Sequence, residues 1–75
     1  MNRCDLVVHV DETLQQAQQE MLEARLQDLP GVVDAHFSHK HPHLMTVAYD
    51  CERMEAGSIL GRITEQGWHA QTLGM

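Results

Sequence analysis

Apolar residues recur at every second position in some stretches of this chain and at helical spacing in others. Leu6, Val8 and Val10 alternate with Asp5, Val7 and His9, and this β-branched period of two predicts a first strand over about residues 3–10. Asp11-Glu12-Thr13 then reads as a helix opening, with Thr13 and Gln16 placed as a capping box and the early acids suited to a helix N-terminus. Leu14, Ala17, Met21 and Ala24, together with Leu22, Leu26 and Leu29, form an apolar stripe, and the glutamines 15, 16, 18 and 19 form its solvated side. Pro30-Gly31 stops that helix.

The period of two then returns. A second strand is expected over about Val32–Ser38, with Ala35 and Phe37 inward and His36 and Ser38 outward. His39–His43, carrying Lys40 and Pro42, makes the turn. A third strand spans Leu44–Asp50, with Met45, Val47 and Tyr49 set against Leu44, Thr46 and Ala48. A second helix is expected from about Ala56 to Gln66, burying Ile59, Leu60 and Ile63 and ending at Gly67, and Trp68–Leu73 is a short last strand. Trp68 and Tyr49 read as aromatics at the edge of the core, and Met21 and Met54 as gap-fillers on helical faces.

This order of elements is the α+β, ferredoxin-like βαββαβ plan. Its four-stranded antiparallel sheet has strand order 4-1-3-2 and carries two helices on one face. Both crossovers are expected to be right-handed. The 75 residues allow one domain over 1–75, with no internal linker or repeat.

Composition narrows the function classes. Five basic residues against eleven acidic ones give a formal net charge of −6, which argues against nucleic acid and favours cations or basic surfaces. No apolar run is long enough to cross a bilayer, and the first residues, Met1-Asn2-Arg3-Cys4-Asp5, do not read as a secretory signal. No membrane association and a cytoplasmic setting are the expectation. No nucleophile–base set and no phosphate-cradling Gly-rich loop is visible, so an enzyme is not expected. The two cysteines, Cys4 and Cys51, lack Cys-x-x-Cys spacing and are read as reduced thiols in the cytosol. They share one pole on adjacent strands with inward parity, where a second site or a disulfide under oxidation is geometrically conceivable.

The histidines change the picture most. Four of the six, His36, His39, His41 and His43, fall within eight residues. In the 4-1-3-2 order His9, the turn histidines His39, His41 and His43, and His69 meet at one pole. His9 and His69 are expected as a cross-strand pair roughly 5 Å apart at Cβ, and the turn histidines about 10–15 Å from His69. That span calls for two smaller sites, or one completed by a partner chain. Asp11 and Glu12 read as helix-capping acids, with ligation beside His9 as the alternative.

Several landmarks together carry a resemblance: Leu29-Pro30-Gly31-Val32, Met45-Thr46-Val47-Ala48-Tyr49-Asp50, Ile59-Leu60 with Ile63, and Gly67-Trp68-His69-Ala70. Over roughly residues 4–73 the chain resembles the heavy-metal-associated domains, the small copper, mercury and zinc carriers and the modules of metal-pumping ATPases. The resemblance implies their fold. It does not imply their site, because those domains typically bind soft metal through Met-x-Cys-x-x-Cys between the first strand and helix. Here that stretch reads Val10-Asp11-Glu12-Thr13-Leu14-Gln15-Gln16, without a thiol. Imidazole and carboxylate suit Zn(II), Ni(II), Cu(II) or Fe(II) rather than Cu(I).

The expectation is therefore a non-enzymatic metal-binding or metal-delivery module using His9 and His69 first, then His41 and His43, with His39 beside them. The alternative is a metal-free protein-interaction or homodimerisation module using the open sheet face, which offers Val7, Thr46, Ala48 and Leu44. A third reading, a pH-sensing module, follows from imidazole titration near neutral pH.

Overall fold

Alternation along β1 (Arg3–Val10) settles which side of the sheet is covered. Leu6, Val8 and Val10 are buried, while Arg3, Asp5 and Val7 face the open side. In the computed structural model, which describes residues 2–73, the remaining elements are α1 (Gln16–Gln27), β2 (Val32–Phe37), β3 (Leu44–Asp50), α2 (Ala56–Thr64) and β4 (Ala70–Leu73). The sheet runs β2-β3-β1-β4, the expected order read from its other edge. β1 lies antiparallel to β3 from Arg3 opposite Asp50 to His9 opposite Leu44, and antiparallel to β4 from Val7 opposite Leu73 to Val10 opposite Ala70. β2 pairs with β3 and carries an irregularity between Val32 and Asp34.

The core packs the inward side chains of the sheet against Leu22 and Leu26 of α1 and Ile59 and Ile63 of α2, all at or near zero exposure. Met45 and Val47 are buried there as expected, and Leu60, Tyr49 and Trp68 pack at its edge. α1 departs from its predicted stripe. Ala17, Met21 and Ala24 are exposed, Met21 at 54%, because Leu22 and Leu26 occupy the inward face of that helix. Two overlapping apolar stripes compete on this helix, and the one with the larger branched side chains removes more surface from water.

The start of α1 is also displaced. Its N-cap is Gln15, whose N–H donates to the Gln18 Oε1 at 2.9 Å, so the capping residues are not Thr13 and Gln16. Asp11 and Glu12 lie a full turn upstream and serve elsewhere. Two other ends are shorter than expected: α2 stops at Thr64 and β4 begins at Ala70. Gly67, at φ 92°, makes the left-handed exit from α2 that a side chain would strain.

One sheet edge is shielded from within the chain. The Phe37 N–H of edge strand β2 donates to the Glu23 carboxylate at 2.7 Å, and the Ala35 carbonyl accepts from Gln27 Nε2 at 2.9 Å. These α1 side chains occupy backbone groups that an added strand would otherwise pair with.

Candidate functional site

Three chain segments meet at the C-terminal end of β1, and backbone hydrogen bonds tie them together. The Val10 N–H donates to the His43 carbonyl at 2.8 Å, and the Asp11 N–H to the His69 carbonyl at 2.8 Å. The β2–β3 turn is itself closed by Ser38 N–H to the Leu44 carbonyl, Leu44 N–H to the His41 carbonyl and His41 N–H to Ser38 Oγ. Carbonyls and amides of the histidines themselves therefore fix where the imidazoles can reach.

His9 and His43 form the centre of this pole. Their rings stack with centroids 5.6 Å apart and planes inclined by 16°. His43 Nδ1 lies 2.8 Å from the Val10 carbonyl, and His9 Nδ1 lies 3.1 Å from Asp11 Oδ1. A carbonyl oxygen only accepts, so Nδ1 of His43 carries the proton, and the carboxylate of Asp11 selects the same tautomer in His9. Each neutral ring is left with its lone pair on Nε2. Metal-binding imidazoles are commonly prepared in this way, with the second nitrogen held by a carboxylate or carbonyl.

His69 stands on its own support. Glu12 accepts from both its backbone N–H at 2.8 Å and its Nδ1 at 2.6 Å. The hydrogen bond to the Glu12 carboxylate, with its charge, raises the His69 pKa above the ordinary 6.5. The same hydrogen bonds lower the Glu12 pKa below its ordinary 4.5.

The cross-strand pairing of His9 with His69 does not occur. His9 lies opposite Gln71, and His69 precedes β4. The β1–β4 register continues past Val10 and Ala70 to set His69 beside Asp11, two positions from His9. His9 finds its neighbour in His43 instead. Nor do Asp11 and Glu12 cap α1; each holds an imidazole. The i, i+2 spacing of His9 and Asp11 places both on one side of an extended segment, a local signal available in the sequence. The approach of Glu12 to His69 has no such signal.

The other histidines are dispersed around the pole. His41 lines a shallow depression with His9, His43 and Lys40. His39 lines the neighbouring groove against α1, beside Gln16 and Glu20. His36 Nδ1 is 3.3 Å from Asp34 Oδ2 on the edge strand. Among the described residues, no three His, Cys, Asp or Glu side chains converge as a ready-made cation cage.

The opposite end of β1 holds the second finding. Cys4 and Cys51 are joined by a disulfide, with Cα atoms 5.8 Å apart, so the expectation of two reduced thiols is corrected. Antiparallel pairing of β1 with β3 brings the two residues within bonding reach.

The sequence matches no protein-family profile and no curated protein. The fold has well-matched counterparts among solved structures. A copper-binding domain of HMA7, a P-type ATPase, superimposes with a TM-score of 0.83 at 23% identity, covering 93% of each chain. Oxidised MerP from Ralstonia metallidurans CH34 gives 0.85 at 10% identity, covering 96% of this chain and 99% of that one. The N-terminal domain of a potential copper-translocating P-type ATPase from Bacillus subtilis, in its Cu(I)-loaded state, gives 0.85 at 18% identity, covering 99% and 90%. These likenesses establish the fold as the ferredoxin-like plan of heavy-metal-associated domains. Among the described residues no helix is long and apolar enough to cross a membrane.

Proposed function

We propose that this chain is a single, non-enzymatic metal-handling domain of the cytoplasm, and that it carries a borderline divalent ion through imidazole. The observation that carries this reading is the arrangement of His9 and His43: stacked rings whose Nδ1 atoms each face an oxygen acceptor, which leaves Nε2 of each neutral ring as the donor to an ion. Two nitrogen donors at one pole suit Zn(II), Ni(II), Cu(II) or Fe(II). His41, which lines the same depression, is the next donor when the turn rearranges, with His69 and His39 further off around the pole, and a partner molecule or water completes the coordination. Two fixed ligands and a turn that must be ordered give exchangeable, micromolar binding, which fits a carrier better than a structural site. The fold agrees with this reading, since structures of the same plan are described as copper-binding domains and metallochaperones.

The test is a titration of the disulfide-bonded chain with Zn(II) and Ni(II), followed by imidazole NMR. Perturbation of the His9 and His43 rings by the first equivalent is expected. Unchanged imidazole spectra after several equivalents would remove the proposal.

A second reading draws on the lack of a three-ligand cluster among the described residues and on the uncovered sheet face. There the register sets Val7, 36% exposed, between Leu73 and Thr46. On this reading the domain binds a protein partner or a second copy without metal. Light scattering with and without chelator separates the two, because a metal-independent dimer with silent histidines supports only this one.

A further inference from the structure

We infer that Cys4 and Cys51, once reduced, form a soft-metal site for Cu(I) at the pole opposite the histidines. The backbone holds the two residues side by side independently of the bond between their sulfurs. Arg3 pairs with Asp50 and Cys4 with Tyr49, and the Cys51 N–H donates to the Asn2 carbonyl at 2.8 Å, extending the ladder as far as Cys51. With Cα atoms 5.8 Å apart, two side chains of this length can turn their sulfurs toward a common ion after the bond opens.

The surroundings suit the same chemistry. Neither cysteine is fully buried. Cys51 opens onto a surface pocket that is also lined by Met54 and Arg53. The pocket, whose lining also includes Glu52, Glu55 and Ser58, leaves Cys51 open to a reductant and an ion. Two thiolates select Cu(I) over the divalent ions that imidazole and carboxylate prefer. The two poles therefore differ in ligand softness, and redox state opens only one of them.

The steps balance with a dithiol reductant. Two electrons and two protons pass from it to the Cys4–Cys51 bond; the sulfur–sulfur bond breaks, two thiols form, and the reductant closes to its own disulfide. On loading, two Sγ–Cu bonds form, both thiol protons leave to solvent, and copper stays Cu(I). This site is independent of the imidazole reading, which is tested on the oxidised chain with divalent ions.

The experiment is anaerobic competition between the chain and a chromophoric Cu(I) chelator. Four samples are compared: reduced, oxidised, C4S and C51S. Reduced wild type is expected to withdraw one equivalent with near-ultraviolet thiolate-to-copper absorption, and to bind at least about tenfold more tightly than either serine variant. The oxidised chain is expected to behave like the variants. Amide NMR of the loaded protein is expected to retain the Arg3–Asp50 to His9–Leu44 pairing, whether or not the reduced chain folds before copper is added. Reduced wild type that competes no better than C4S overturns the proposal. So does a loaded chain without the β1–β3 ladder, which would show capture by unfolded thiols.

Discussion

The two ends of β1 solve the same structural problem with different chemistry. At its C-terminal end, Val10, Asp11, His43 and His69 are joined by backbone hydrogen bonds, and the imidazoles lean on a carbonyl and on carboxylates. At its N-terminal end, a covalent bond between Cys4 and Cys51 joins the strand to the segment after β3. The first arrangement leaves lone pairs on offer, and its Glu12–His69 contact responds to pH. The second consumes its donors in a bond and responds to redox potential. A domain of this size can thus hold two ligand sets, because Cys4 and His9 stand five residues apart on β1, about 17 Å along the strand.

Breaking the cysteine end is expected to give the largest effect. A cross-link between residues 47 apart in sequence removes chain entropy from the unfolded state worth about 4 kcal/mol. Reduction should lower the denaturant-unfolding free energy by up to that amount while leaving the His9 and His43 resonances in place. A change in those resonances on reduction would show that the two ends are coupled.

Breaking the histidine end should change binding more than stability. H43A removes a proposed ligand and the stacked partner of His9, and divalent-metal affinity is expected to fall about a hundredfold. Unaltered affinity would relocate the site to His41 or His69. D11N is a milder probe of the same end, since it keeps the shape but weakens the acceptor on His9 Nδ1. A loss of about tenfold is expected by calorimetric titration.

The smallest effect concerns the half-buried Glu12 and the exposed His69, whose contact is screened by solvent. Because folding raises the His69 pKa, its contribution is complete below the ordinary value of 6.5 and disappears as pH rises through the raised one. Because folding lowers the Glu12 pKa, its contribution is complete above 4.5 and disappears as pH falls through the lowered one. The tether is therefore strongest between about pH 4.5 and 6.5. E12Q should return the His69 titration, followed by NMR, toward the ordinary range. An unmoved titration would mean that Glu12 does not hold this ring.

Much of the scaffold was legible in the chain. β3 spans Leu44–Asp50 and β1 Arg3–Val10 as their alternation predicts, and the strand order follows. The apolar period is a local property, and burial of one face enforces it. The pole was legible in outline for the same reason, since topology alone brings the ends of β1 and β2 together with the starts of β3 and β4. The pairings inside it were not. Whether Asp11 and Glu12 cap a helix or hold imidazoles depends on α1 beginning at Gln16, and whether His9 meets His69 depends on the β1–β4 register, which sets His9 opposite Gln71.

The period of hydrophobic residues by itself determined the elements, their order and the buried side of the sheet, because each strand must hide one face from water. Only the tertiary structure decided which side chains share a hydrogen bond, a stack or a disulfide. Those contacts join residues far apart in sequence, and a shift of one or two positions at an element boundary redirects them, while the apolar pattern that drives folding is indifferent to such a shift at its ends.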